Sequence, residues 1–155
     1  MTTFIGDYHC KVDPKGRVMF PATLKKQLKP ASVDKFVIKK DIFEKCLIIY
    51  PMDEWERQNS IIRRKINPYN KEHAKFLRRF YMGTAEVVLD GNNRMLIPKR
   101  LIDEAGISKE VVLAGQNGRI EIWDKASYES MDMKDDDFAA LAEKIMGGTL
   151  FEDDE

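Results

Sequence analysis

The sequence predicts an α+β, β-dominated fold in which two tandem copies of one small unit interleave into a single β-barrel, with helices at its flanks. Three observations carry that expectation. A repeat at a constant offset of 77 residues runs through the centre of both halves of the 155-residue chain. Each copy reads strand, turn, strand, short helix, strand, strand. And each copy, at about 50 residues, falls below the roughly 70 at which one hydrophobic core becomes self-sufficient, so the copies must share a core about a pseudo-two-fold axis.

The repeat places Asp13-Pro-Lys-Gly-Arg17-Val-Met-Phe-Pro21-Ala-Thr-Leu24 over Asp90-Gly-Asn-Asn-Arg94-Met-Leu-Ile-Pro98-Lys-Arg-Leu101, with Asp, Arg, Pro and Leu identical. Strands are expected at Tyr8–Val12 and Ala85–Leu89, then, after the turn, at Arg17–Phe20 and Arg94–Ile97. Gly16 and Asn93 occupy the turn position before each arginine, and both residue types tolerate positive φ. Pro21 and Pro98 suit the first position of a helix, where a missing N–H costs nothing. Leu24 with Leu28, and Leu101 with Ala105, give the i, i+4 apolar stripe. Gly106 is a helix stop. The units finish with strands at Phe36–Lys39 and Cys46–Tyr50, and at Val111–Ala114 and Arg119–Trp123. Asn117-Gly118 marks a tight hairpin in the second pair, and Trp55 falls over Tyr128.

Between the copies, Asp53-Glu-Trp-Glu56 has the form of a capping box opening a helix along Trp55, Ile62 and Ile66, ended by Asn67-Pro68. Asn70 is placed to cap a second helix with Ala74, Leu77, Phe80 and Tyr81 inward. Asp124 opens a short helix, and a last one is expected over Asp137–Met146, stopped by Gly147-Gly148, with Leu150–Glu155 frayed. The organisation is therefore repeat one over 4–55, a helical insert over 56–80, repeat two over 81–128 and an acidic helical extension over 129–155.

The formal charge is zero, but residues 1–82 carry 18 Lys/Arg against 9 Asp/Glu and residues 83–155 carry 8 against 17. From Glu129 onward there are 10 acids and 2 bases. A basic body with an acidic appendage suits a polyanionic partner, or solubility alone. No apolar stretch approaches the ~20 residues of a membrane span, and no secretory signal is visible at the start. Cys10 and Cys46 lie in apolar strand-like runs without metal-ligand spacing, as expected of reduced thiols in a cytoplasmic protein.

No catalytic motif is present, and His9 and His73 lack a nucleophile partner; the expectation is no enzyme and no cofactor. Asp13 and Asp90 suggest a symmetric metal pair, which would make a metal-dependent nuclease. An aspartate opening a turn, however, ordinarily accepts the backbone N–H groups that follow it. Arg17 and Arg94 either pair with their own aspartates or project a planar guanidinium suited to guanine O6/N7 or phosphate. Preservation of the whole Asp-x-x-x-Arg-x-x-x-Pro unit in both copies favours DNA contact. Lys15 adds a charge at the first tip and Asn92 a neutral hydrogen-bonding group at the second, while Lys25, Lys26, Lys99 and Arg100 extend the basic surface. Asp13, Gly16, Asp90 and Asn93 shape the turns.

These paired half-motifs, with Tyr81-Met-Gly83 leading into the second and Leu47-Ile-Ile-Tyr50-Pro closing the first, resemble the MraZ family of bacterial transcriptional regulators, within the AbrB/SpoVT-like superfamily. The resemblance covers about residues 4–146. It implies a swapped-hairpin (double-split) β-barrel made by both repeats of one chain, and assembly into a ring-like homo-oligomer. It also implies binding of double-stranded DNA at short direct repeats upstream of the division and cell wall gene cluster, with repression of the protein's own operon in the nucleoid. The family's contact segment falls on Lys15 and Arg17, with Arg94 equivalent in copy two, where Asn92-Asn93 departs from Lys-Gly. The competing expectation is an antitoxin-like module whose acidic C-terminal segment binds a toxin.

Overall fold

The strands of the two halves alternate across one antiparallel sheet. In the computed structural model, which describes residues 2–29 and 34–147, eight strands and six helices follow one another. The first half holds β1 (Asp7–Lys11), β2 (Arg17–Met19), α1 (Ala22–Lys26), β3 (Lys35–Lys40) and β4 (Leu47–Pro51). The insert is α2 (Met52–Lys65) and α3 (Lys71–Tyr81). The second half repeats the pattern as β5 (Ala85–Val88), β6 (Arg94–Leu96), α4 (Lys99–Glu104), β7 (Glu110–Gln116) and β8 (Arg119–Asp124), followed by α5 (Lys125–Glu129) and α6 (Asp135–Met146). The expected fraying of Leu150–Glu155 lies outside the described residues.

A six-stranded sheet has the order β1-β7-β8-β4-β3-β5, and β2 pairs with β6 in a separate two-stranded ribbon. Each half thus lends a hairpin (β3–β4, β7–β8) to the centre and one edge strand (β1, β5), as the shared-core argument requires. A closed barrel is not seen, because the ladder ends on β1 and β5. Single bridges at Val12–Val18 and Leu89–Met95 tie the ribbon to those two edges. The reason is local: the Asp-opened turns fold the chain back so tightly that only one bridge fits between β1 and β2, or between β5 and β6.

The main core lies on one face of the sheet beneath the ribbon. Val18, Phe20, Leu24 and Leu28 from the first copy meet Met95, Ile97, Leu101 and Ala105 from the second, over Phe36, Ile38, Leu47, Ile49, Ile120 and Ile122. Phe20 and Phe36 pack with ring centroids 5.1 Å apart. Alternation along β4 sends Ile48 and Tyr50 to the other face, where with Cys46 and Trp123 they form a second cluster closed by Trp55 and Tyr128. The aromatic pair matched in the repeat thus plays one role in each half.

Four helix starts differ from expectation, α6 among them, which begins at Asp135, two residues before the expected Asp137. Pro21 and Pro98 are the N-caps of α1 and α4, one residue before the expected position. Their carbonyls accept the first helical bonds, Lys25 N–H to Pro21 and Ile102 N–H to Pro98. No capping box forms at Asp53: α2 starts from Pro51, and the neighbouring Glu54 is buried, accepting from Arg57 and Gln58. A tertiary demand wins there over the local pattern, since a Cβ at Gly118 would sit 2.7 Å from Glu54 Oε1. Asn70 caps α3 as expected, accepting from Glu72 and His73 N–H, and the Asn117-Gly118 turn joins β7 to β8 with Asn117 at φ 55°.

Candidate functional site

Each Asp–turn–Arg tip is closed by its aspartate. Asp13 Oδ1 accepts the N–H of Lys15 at 2.9 Å and of Arg17 at 2.8 Å. Asp90 Oδ1 accepts Asn92 N–H at 2.8 Å and Arg94 N–H at 2.9 Å. The turn residues are left-handed, Gly16 at φ 87° and Asn93 at φ 60°. Gly16 is also tight: a Cβ there would lie 3.1 Å from the Ile97 carbonyl oxygen. That carbonyl neighbour comes from the other copy, because Ile97 N–H donates to Gly16 O at 3.0 Å. In the symmetric contact Phe20 N–H donates to Asn93 O at 2.9 Å. Each tip therefore rests on the strand end of the opposite repeat.

Both arginines are held by their own aspartates through Nε. Arg17 Nε lies 2.6 Å from Asp13 Oδ2, and Arg94 Nε 3.0 Å from Asp90 Oδ2. The Nη nitrogens of both have no hydrogen-bond partner among the described residues, and both side chains remain 30% exposed. An ion pair at such exposure adds little stability, but it fixes the guanidinium plane and leaves its outer edge to donate. The backbone N–H of Arg17 first, with its guanidinium and the Lys15 N–H, holds the Asp13 carboxyl below its ordinary range. The N–H groups of Arg94 and Asn92 do the same for Asp90. Both carboxylates are thus engaged by their own turns.

The ribbon joins the two tips. Its antiparallel register sets Arg17 opposite Leu96 and Met19 opposite Arg94. Side chains alternate along a strand, so these four share one face while Val18 and Met95 enter the core. Met19 and Leu96 are 52% and 55% exposed. Two guanidinium groups at diagonal corners, with two apolar side chains at the other corners, make a face able to hydrogen-bond polar edges and to touch methyl groups. Met19 and Leu96 escaped the sequence reading; the signal that would have found them is the i, i+2 alternation from each arginine.

The other candidates fall into two groups. Lys15 and Asn92 are exposed on the tips. Lys25, expected on a basic surface, instead donates from Nζ to Asn93 Oδ1 and lies 3.5 Å from Asp34, so the first copy's helix props the second copy's turn. Lys26 and Lys99 are exposed. Arg100 donates to the Gly83 carbonyl at 3.2 Å and lines a cavity beside α3, away from the turns' hydrogen-bond network. The insert cations Arg63, Arg64, Lys65, Arg78 and Arg79 occupy the last turns of α2 and α3, where positive charge also suits the helix dipole. His73 Nδ1 accepts the Asn67 N–H at 2.9 Å and so closes the turn between the insert helices.

Comparison with known proteins gives this arrangement a context. The family described as "MraZ protein, putative antitoxin-like" matches residues 3–79 and again 80–146. A protein named transcriptional regulator MraZ from Christiangramia forsetii is 48% identical, over 98% of each chain. One of the same name from Flavobacterium psychrophilum is 45% identical, over 95% of this chain and 94% of its own. Another from Bacteroides fragilis is 38% identical over 94% and 92%. Among the described residues no helix is long and apolar enough to cross a membrane.

Proposed function

Since this chain belongs to the MraZ family, we propose that it is a sequence-specific DNA-binding regulator of transcription that reads duplex DNA with the β2–β6 ribbon and its two tips. The observation that carries this reading is the ribbon face: Arg17 and Arg94, each buttressed by its aspartate, flank the exposed Met19 and Leu96. The major groove of B-DNA, about 12 Å wide, admits a two-stranded ribbon. There the free guanidinium edges donate to guanine O6 and N7, and Met19 and Leu96 meet thymine methyl groups. Lys15 and Asn92 contact the backbone beside the tips, and Lys26 and Lys99 neutralise flanking phosphates. Lys25 acts one step removed, by holding Asn93.

One ribbon offers too few base contacts for gene-level specificity. We assign the remainder to assembly: a homo-oligomeric ring presents several ribbons to short direct repeats upstream of the protein's own operon, in the division and cell wall cluster, and represses it. Avidity then multiplies weak contacts wherever repeat spacing matches subunit spacing. The swapped-hairpin barrel belongs to the same reading, supported by the alternation of halves in the sheet and by the two bridges that link the ribbon to its edges.

The test is binding of wild type, Arg17→Ala and Arg94→Ala to duplex from the region upstream of the gene, at fixed salt. Each substitution is expected to reduce discrimination between the repeats and scrambled DNA by about 10- to 100-fold, the ~1–3 kcal/mol of a bidentate base contact. Unchanged discrimination in both variants overturns the reading. The antitoxin-like alternative ranks second. It is favoured by one feature, the acidic helix α6 with no buried residue, and it requires that α6 bind a small toxin encoded beside the gene.

A further inference from the structure

Among the described residues, nothing buries the apolar stripe of helix α6. None of its residues is buried, and Phe138, Leu141 and Ile145, spaced i, i+3, i+7 on one face, are 62%, 40% and 60% exposed. Three aspartates form its first turn, Asp135, Asp136 and Asp137. Residues 130–147 together carry five carboxylates against two lysines. An apolar stripe of this kind on an acidic helix is what helix-in-groove recognition uses.

The body carries a cavity of the opposite charge. It offers about 790 Å³ between the end of β3, α3 and α4. Its apolar surface is the exposed Phe76, Met82 and Ile42. Its cations are Lys39, Lys40, Arg79 and Arg100, against the acids Asp41 and Glu104. Lys39 is the unusual member: it is 5% exposed, its Nζ sits 3.8 Å from the centre of the Phe80 ring, and no carboxylate lies within ion-pair distance of it among the described residues. Burial holds the Lys39 ammonium below its ordinary range and the field of Asp41 offsets that only in part, so a further negative partner is favoured there.

We propose that the cavity beside α3 receives helix α6 of a second copy of this chain, Phe138 and Leu141 entering between Phe76 and Met82 while the aspartates of the first turn face Lys40, Arg79 and Arg100. Charge complementarity supports this occupant: α6 carries its aspartates beside an apolar stripe, and the cavity sets four cations against two carboxylates around Ile42, Phe76 and Met82. The contact is head-to-tail, a different patch on each partner, and such contacts close into rings when the rotation between subunits permits. The inference rests on the self-assembly proposed above and is independent of the DNA reading, since it concerns mass alone.

The experiment uses two full-length variants at exposed positions, a tail variant (F138S/L141S) and a cavity variant (F76S), with Arg79→Glu as a second cavity variant that leaves the aromatic packing intact. Light-scattering mass is measured for wild type, each variant alone and tail–cavity mixtures, with circular dichroism to verify folding. Wild type is expected to be oligomeric, and each variant alone to self-associate at least tenfold more weakly. An equimolar tail–cavity mixture then retains one good interface per pair and runs as a dimer. Full-size assembly by the tail variant or by both cavity variants, through another surface or with α6 docked on its own chain, overturns the interface while leaving assembly intact. A mixture that forms no dimer also overturns it. A monomeric wild type overturns both the interface and the proposed ring, and leaves the stripe to a foreign protein.

Discussion

Ile97 donates its backbone N–H to the carbonyl of Gly16 at 3.0 Å, and the matching residues of the other repeat, Phe20 and Asn93, make the same bond at 2.9 Å. These two bonds lock each arginine-bearing turn to the opposite half of the chain. The structural unit is therefore the pair of repeats.

Gly16→Ala tests that lock. The position combines φ 87° with a carbonyl oxygen 3.1 Å from any added Cβ. The expected loss is about 1–3 kcal/mol of stability, from the backbone conformation and the crowding together. Denaturant unfolding would measure it, and a change under about 0.5 kcal/mol would contradict the geometry.

The core prediction concerns Phe36, fully buried and in contact with Phe20. Phe36→Ala is expected to cost about 3–5 kcal/mol, because the vacated space is hemmed in by sheet residues that cannot collapse into it. The unfolding midpoint in urea reads this directly.

Acid is expected to act through the tips. Asp13 and Asp90 both titrate below their ordinary value in the folded chain. The unfolded chain then binds more protons than the folded one as pH falls through the carboxylate range. Their contribution is complete above the ordinary carboxylate pKa and is lost as pH falls through the depressed folded values. The pH dependence of the unfolding midpoint between about 2 and 4 should be shallower in D13N/D90N than in wild type. An unaltered slope would mean the turns do not depend on ionised aspartates.

Thiol chemistry offers a fourth check. Burial, helped by Glu121 and Asp41, pushes the Cys46 thiol up to about 12, and burial also raises Cys10. The thiolate is the reactive form. Native protein at pH 8 should therefore alkylate slowly at both cysteines, Cys46 the slower, and denatured protein rapidly at both. Rapid labelling of native Cys46 would show that β4 opens.

Much of this was readable from the residues because the repeat repeats its physics. Asp13 and Asp90 cap their turns, and Gly16 and Asn93 supply the left-handed step, for reasons contained within five residues. Asn70 and the Asn117-Gly118 turn are local in the same sense. What escaped is what depends on distant chain: the link from Lys25 to Asn93, the burial of Glu54 against Gly118 in place of a capping box, and a sheet whose ladder stops at β1 and β5. Partner choice between strands is decided by packing across the whole core, which a repeat unit does not encode. Met19 and Leu96 were hidden for a simpler reason. They read as core-forming residues until the ribbon shows which face of a three-residue strand is turned outward.

The pairing of β1 with β7, Asp7 aligned with Ala114 and Lys11 with Glu110, has a consequence for how the molecule comes into being. Contacts of such long sequence separation slow folding, since the chain must close a large loop before the ladder rewards it. During synthesis the first strand has emerged long before its partner is made, and it waits exposed. Completion of β7 and β8 is then the event that admits β1 to the sheet. A nascent chain arrested before that point would offer bare strand edges to aggregation or to a chaperone.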